Sequence, residues 1–333
     1  MTKLLVLSGH AVREVLGYRE CADAMRDALI ARANGEVFQP LRSVLKPPGA
    51  PGLMAVMPAY QQGQAAGYGL KAITITPGNP ALGLDTHQGI VLLSSSETGQ
   101  PLAVLNASAV TEIRTAAVSV IATEILASAD ADVLAIIGTG VQASSHLRAL
   151  SSTRKLAEIR VAGRTTYKAA RFAATHAAQA GGTKLVASPT VEQAIAGAGI
   201  VVTATNSAAP VINRDWLSPG THLNAVGACL PDQRELDTAT VASAALYGDS
   251  RESVIAEAGD YVLAAAEGAI GPDHLKAELG DLLAAKPGAQ GRAGEREITI
   301  FESLGLAVED LAAAALAYDT ARARGIGTLT DFE

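Results

Sequence analysis

Cysteine is scarce in this chain: Cys21 and Cys229 are the only two among 333 residues. Two cysteines cannot build a disulfide framework, and their separation fits no zinc pattern. A reducing compartment is the simplest expectation, and no metal is expected. Long apolar runs are missing too, since none approaches the ~18 residues that span a bilayer. The opening Met-Thr-Lys-Leu-Leu-Val-Leu-Ser-Gly has four consecutive apolar residues, too few for a signal-peptide core. A cytoplasmic protein with no membrane partner is therefore expected. Positive charge is also short: 26 Lys and Arg against 33 Asp and Glu give a formal net charge of −7. That balance argues against a general nucleic-acid surface. What is plentiful is hydrophobic content, 49%, enough for well-filled cores. The length exceeds the ~250–300 residues at which single cores stop growing, so two domains are expected.

The most informative stretch runs from Asp132 to His146. An apolar run of strand character ends in Gly138, Gly140 follows, and Ala143 takes the third small position. This is G-x-G-x-x-A between a strand and a helix, the fingerprint of a dinucleotide-binding turn. Gly138 would make the turn, Gly140 would let a pyrophosphate approach the backbone, and Ala143 would keep the helix close to the sheet. The helix N-terminus would then offer N–H groups and partial positive charge to the phosphates. Gly138, Thr139, Gly140, Val141 and Gln142 are the candidate residues; the competing reading is a chance glycine pair in a loop.

Before Asp132 the pattern is mixed. Leu4–Leu7 reads as a strand, and Tyr18–Ala33 as a helix ended by Asn34-Gly35. Short strand candidates follow at Ser43–Lys46, Leu53–Pro58, Gly69–Thr76, Gly89–Ser95 and Leu102–Asn106. Ser108–Ala127 reads as a long helix with Ser108 as its cap. After Asp132 the chain alternates. Strands are expected at Val133–Ile137, Glu158–Ala162, Lys184–Ala187, Gly199–Thr205, His222–Gly227 and Ala245–Gly248. Helices at Gln142–Leu150, Tyr167–Gln179 and Val191–Ala198 lie between. Such alternation indicates a doubly wound parallel sheet. Leu304–Arg324 is strongly helical. The expected fold class is α/β: a Rossmann-type sheet over residues 128–305, plus an α+β substrate and dimerisation domain over 1–127. Residues 306–333 should pack back on the latter.

Four further segments carry a family resemblance. They are Glu97-Thr-Gly-Gln-Pro-Leu-Ala-Val-Leu with Ile113-Arg-Thr-Ala-Ala; Trp216-Leu-Ser-Pro-Gly-Thr-His-Leu-Asn-Ala-Val-Gly; Ala256-Glu-Ala-Gly-Asp; and Phe301-Glu-Ser-Leu-Gly-Leu-Ala-Val-Glu-Asp-Leu-Ala. Together, and in order over nearly the whole chain, they resemble the ornithine cyclodeaminase/mu-crystallin family. The resemblance implies hydride chemistry at an amino-acid α-carbon or its imine, a two-domain fold, and a homodimer formed through the first domain. It does not fix the substrate.

Sites for NAD usually place Asp or Glu at the end of the second strand, for the ribose 2′-OH. Here that strand ends in Gly163-Arg164-Thr165, with no carboxylate. Arg164 could pair with the 2′-phosphate of NADP, with Thr165 and Lys168 adding contacts. The competing reading is a solvated surface arginine. NADPH is the expected cofactor, with NADH as the alternative. The resemblance implies that Thr205, Asn206 and Val226 line the nicotinamide side. It also implies that Thr86, His87 and Gln88 reach the cofactor, and that Ser303 is a late contact. His87 is read as a contact rather than a proton donor.

An amino or imino acid carries a carboxylate, whose desolvation needs paired cations. Arg42, Lys71 and Arg114 lie among apolar or small residues. The resemblance puts all three in the site, Arg42 and Lys71 on substrate and Arg114 bridging towards cofactor; Lys71 could also relay a proton. The competing readings are solvated cations or a salt bridge of Arg114 with a neighbouring glutamate. Cyclodeaminases of this family carry an aspartate shortly after Asn-Ala-Val-Gly. Here Ala228 and Cys229 stand at that place, and Ala-x-x-Pro-Asp-x-Arg-Glu-Leu looks more like the mu-crystallin and ketimine-reductase branch. Asp232 is read as a turn or cap residue. The expected activity is NADPH-dependent reduction of small cyclic imino acids. An amino-acid dehydrogenase, a cyclodeaminase and a non-catalytic NADPH-dependent binder are its rivals.

Overall fold

The computed structural model describes residues 3–63 and 66–332. The chain divides into two compact units, Met1–Arg114 with Gly305–Glu333, and Thr115–Leu304.

The first unit contains β1 (Lys3–Leu7), α1 (Gly9–Val15), α2 (Tyr18–Ala33), β2 (Val37–Phe38), β3 (Ser43–Leu45), β4 (Leu53–Gln61), β5 (Gly67–Ile75), β6 (His87–Ser95) and β7 (Pro101–Asn106). It also holds the start of α3 (Ala107–Leu126), and the chain returns to it with α11 (Ala307–Arg324) and β16 (Thr328–Asp331). The strands form one sheet in the order β16-β1-β7-β6-β5-β4-β2, with β3 also pairing β4. Only β1 and β7 run parallel within it. Side chains alternate between faces along a strand, so in β5 Gly67, Gly69, Lys71 and Ile73 are buried while Tyr68 is exposed. A lysine is thereby committed to the inner face.

Two local readings are corrected. Pro58 does not end its strand; β4 continues to Gln61. The missing N–H is tolerated because β3 pairs with Met54–Val56 and β2 with Tyr60–Gln61, so Pro58 falls between these partners on that edge. Ser108 is not the cap of α3. The Asn106 side chain accepts from the Ala109 N–H at 2.9 Å, and the Ser108 hydroxyl instead donates to the His87 carbonyl.

The second unit alternates strands and helices: β8 (Val133–Ile137), α4 (Val141–Thr153), β9 (Glu158–Ala162), α5 (Thr166–His176), β10 (Lys184–Ala187), α6 (Val191–Ile195), β11 (Ile200–Thr203), β12 (His222–Ala225), α7 (Thr238–Ser243), β13 (Ala245–Gly248), α8 (Arg251–Glu257), α9 (Gly259–Ala266), β14 (Leu275–Glu278), α10 (Leu279–Leu283) and β15 (Thr299–Glu302). All eight strands are parallel, in the order β10-β9-β8-β11-β12-β15-β13-β14. The chain leaves β8 for β9 and β10 on one side, then crosses back to β11 on the other. This is the Rossmann switch point, and ligands of such sheets bind outside the carboxyl ends of the strands there. Leu134–Ile137 and Ile200–Thr203 are wholly buried, as strands covered on both faces must be. Leu275–Glu278 joins the sheet unexpectedly at its edge, and so does Thr299–Glu302, which inserts between β12 and β13. Four residues are too short to show a period, and only the complete burial of Thr299–Glu302 reveals that strand. The later half of α3 is tied to this sheet by His146–Ser119 and Asn224–Thr123 hydrogen bonds, both 2.9 Å.

Candidate active site

In the Rossmann unit the glycine turn behaves as its residue types require. Gly138 has φ of 131°, and an added Cβ would overlap the Ala204 carbonyl. Only glycine fits there. Gly140 differs: its φ is −92°, and a Cβ would meet nothing within 4 Å. It is the N-cap of α4, and no side chain caps that helix. By contrast Thr165, Thr190, Asp237 and Ser250 each cap the helix that follows them. The end of α4 thus keeps its first-turn N–H groups and open space beside them, an arrangement that fits a dinucleotide pyrophosphate. Thr139, Val141 and Gln142 lie in the same turn, and Ala143 is fully buried behind it.

At the end of β9, Gly163 leads to Arg164, which is exposed. Among the described residues no ion pair holds its guanidinium. The Thr165 side chain accepts from the Lys168 N–H at 3.3 Å, so it has a structural duty as helix cap. Thr205, Asn206, Val226 and Ser303 follow the carboxyl ends of β11, β12 and β15. The Ser303 N–H donates to the Ala225 carbonyl at 2.9 Å, which brings Ser303 beside the end of β12.

A buried carboxylate, unremarked in the sequence, joins these loops. Glu235 accepts from the Thr205 N–H at 2.6 Å and from the Gly227 N–H at 2.7 Å. Asp260 accepts in turn from the N–H groups of Glu235 and Leu236, both at 2.8 Å. Burial, then the charge of Glu235, pushes Asp260 up to about 7. Burial also raises Glu302 well above the ordinary carboxylate range, reinforced by Asp260, Glu235 and Asp249. Burial raises Glu235 as well, opposed by its hydrogen bonds to Thr205 and Gly227.

In the first unit the three sequence-selected cations meet unforeseen partners. Lys71 and Arg114 are only 3% and 4% exposed. The Lys71 ammonium lies 2.7 Å from Asp310. The Arg114 guanidinium reaches Asp310 through Nε at 3.1 Å and Glu309 through Nη1 at 3.0 Å. Arg42 donates to the Gly305 carbonyl at 3.1 Å, where the chain enters α11. The acids that pair with Arg114 lie nearly two hundred residues on. Their signal was an adjacent acidic pair opening an otherwise Ala- and Leu-rich helix. Three cations and two carboxylates thus gather around the start of α11. Burial lowers Lys71 to about 8, with Asp310 opposing the fall. Asp310 is held below its usual value: burial would raise it, but Lys71 and Arg114 prevail.

Thr86 precedes β6 in this unit, His87 and Gln88 open it, and all three are at least partly exposed. Burial lowers His87, Asp85 pulls the other way, and Lys71 and Arg114 add to the lowering, so the ring is neutral at pH 7. That suits a contact rather than an acid. Among the described residues, no group of His, Cys, Asp and Glu is arranged to hold a metal, and no helix is long and apolar enough to cross a membrane.

The model of the ornithine cyclodeaminase/mu-crystallin family matches residues 2–325. The chain belongs to this family. It is 40% identical to the ketimine reductase mu-crystallin of Mus musculus over 288 residues, 86% of each chain. The solved Delta(1)-pyrroline-2-carboxylate reductase of Thermococcus litoralis, in complex with NADH and L-proline, superposes with a TM-score of 0.94. Its identity is 33%, covering 98% of this chain and 99% of that one. An archaeal alanine dehydrogenase dimer with bound NAD gives a TM-score of 0.92 at 32% identity, over the full length of both. The resemblance carried by the sequence motifs and the Rossmann expectation are both borne out.

Proposed function

We propose that this chain is an NADPH-dependent reductase of small cyclic imino acids. Δ1-Pyrroline-2-carboxylate going to L-proline is the leading reaction, with Δ1-piperideine-2-carboxylate going to L-pipecolate beside it. The observation that carries the reading is the buried cation cluster of Lys71 and Arg114, with Arg42 at its edge. Relatives named for ketimine and pyrroline-carboxylate reduction support it. Arg42, Lys71 and Arg114 hold the substrate carboxylate and fix the imine face. A lysine ammonium carries three donors and its pairing with Asp310 engages one, so Lys71 can also bind substrate and pass a proton to the imine nitrogen. The cofactor, held at Gly138–Gln142 with Thr205, Asn206, Val226 and Ser303 beyond the strand ends, supplies the hydride when bound.

The choice of NADPH over NADH rests on Arg164 and on the lack of a carboxylate at the end of β9. An Arg164→Asp chain is expected to bind NADPH about ten- to a hundredfold more weakly, the loss of one charge-assisted contact, and to spare NADH. A wild type that prefers NADH, or a variant with unchanged preference, removes this assignment.

Reduction rather than cyclodeamination is supported by the place of the missing base. Ala228 is buried there, and the Cys229 thiol donates to the Val226 carbonyl at 3.2 Å. A thiol of ordinary pKa ~8.5 is a poor base beside a carboxylate ionised at pH 7. Asp232 lies exposed in the Leu230–Gln233 turn, a turn residue as read. The deciding experiment runs two assays on one preparation: NADPH consumption with Δ1-pyrroline-2-carboxylate, and ammonia release from L-ornithine. Brisk deamination with negligible reduction overturns the proposal, and activity in neither favours a non-catalytic binder.

The proposed assembly is a homodimer formed through the first unit. Its sheet presents an apolar outer face, where Phe38, Pro58, Tyr60, Tyr68, Leu70 and Leu92 line an open depression of about 360 Å³. Phe38, Tyr68 and the neighbouring Met54 are exposed. Contiguous apolar surface of this kind marks interaction sites.

A further inference from the structure

We propose that Asp310 and Glu309, the first-turn acids of α11, are positioning residues of the imino-acid site: Asp310 holds the Lys71 ammonium charged and oriented, and Glu309 fixes Arg114. The proposal rests on the imine-reductase reading, but part of its test does not.

The geometry begins at Gly69. Gly69 and Lys71 are two residues apart, so they share the inner face of β5. A Cβ on Gly69 would lie 2.8 Å from the Leu311 Cβ, so α11 lies directly on the strand. Asp310 precedes Leu311, and this register brings its carboxylate to Lys71. The same carboxylate takes Arg114 Nε, while Glu309 takes Nη1. Two long, flexible cations are thereby immobilised before any substrate arrives.

Charge explains why an acid is needed. Facing Lys71 are Asp310 on α11, Arg114 on α3, Arg42 ahead of β3 and His87 on β6. Burial and the two guanidiniums favour a neutral amine, and His87, itself neutral, offers no negative charge. Asp310 is the anion that opposes them. A neutral Lys71 would lose both its attraction for a carboxylate and the proton it can deliver.

Helix capping accounts for part of Glu309, which accepts from the Leu306 N–H at 3.2 Å and suits the helix dipole. It does not account for Asp310, whose bonds run to side chains of β5 and α3.

The test compares wild type with Asp310→Asn, which keeps shape and removes charge. Δ1-Pyrroline-2-carboxylate reduction is followed across pH 6–10, and NADPH binding is titrated by fluorescence. Removing an anion in contact should lower the Lys71 pKa by about one to three units. The basic limb of kcat/KM is expected to move acidward by that amount, with NADPH affinity within twofold of wild type. A merely structural role would depress kcat/KM equally at every pH and leave the limb in place, which overturns the proposal. Trace acetylation of Lys71 with acetic anhydride, read by mass spectrometry without substrate, reports the same titration independently of activity. A shifted labelling profile in a chain that reduces no imine would keep the positioning role and sink the reductase reading; an unshifted one in an active reductase would do the reverse. Should Asp310→Asn fail to fold, Asp310→Glu carries the test: charge is retained, so its limb is expected within half a unit of wild type, and an acidward shift as large as that predicted for Asn counts against the role.

Discussion

Replacing Arg114 by alanine is expected to cost about 3–5 kcal/mol of stability and to reduce imino-acid turnover at least a hundredfold. The stability figure follows from what the guanidinium leaves behind. Glu309 is fully buried and Asp310 is 1% exposed, and removing one partner from a buried ion pair strands an uncompensated charge. Lys71 still serves Asp310, but Glu309 would lose its guanidinium partner. The activity loss follows from the substrate carboxylate, which must be desolvated against a positive site. A second variant separates the two effects. Lys71→Met leaves Asp310 paired with Arg114, so it should unfold at a denaturant midpoint much nearer wild type while losing imino-acid reduction about as severely. Urea unfolding with kcat/KM for each chain makes the comparison. Wild type should also turn over a cyclic imine lacking the carboxylate poorly; equal turnover of the two imines would refute the carboxylate clamp.

These cations were legible in the sequence because charge in an apolar strand or helix is conspicuous, as with Lys71 in Gly-Leu-Lys-Ala-Ile-Thr. Their partners were not, for a physical reason. Glu309 and Asp310 lie at a helix start, where acids are ordinary because they complement the dipole. Only the packing of α11 on β5, across more than two hundred residues of chain, turns that ordinary pair into counter-charges. The same holds for Glu235. Its residue type was visible in Arg-Glu-Leu, but its bonds to Thr205 and Gly227 depend on two strand ends being neighbours. The Rossmann half was readable since strand and helix alternate with a glycine turn between them. What escaped there were β14 and β15, four residues each, added late to a sheet already accounted for. The helix cap was misplaced by two residues because Asn106 and Ser108 are both good caps, and the backbone decided between them.

The two glycines of the nucleotide turn should part company under mutation. Gly138→Ala is expected to damage folding, because φ of 131° is hostile to any side chain and the added methyl would strike the Ala204 carbonyl. Gly140→Val is expected to fold. Its φ of −92° suits valine and its Cβ points into open space, so the protein should lose about 1 kcal/mol for a poorer N-cap. That open space lies beside the uncapped start of α4, where the proposed pyrophosphate would meet backbone N–H groups. A branched side chain would fill it. NADPH affinity should therefore fall at least a hundredfold, about 2.8 kcal/mol, with the melting temperature within a few degrees of wild type. Fluorescence titration with NADPH and a thermal melt on the same sample measure both. Normal affinity in a folded Gly140→Val chain would move the phosphate site away from this turn. Loss of folding would instead place Gly140 with Gly138 among the residues the backbone itself requires.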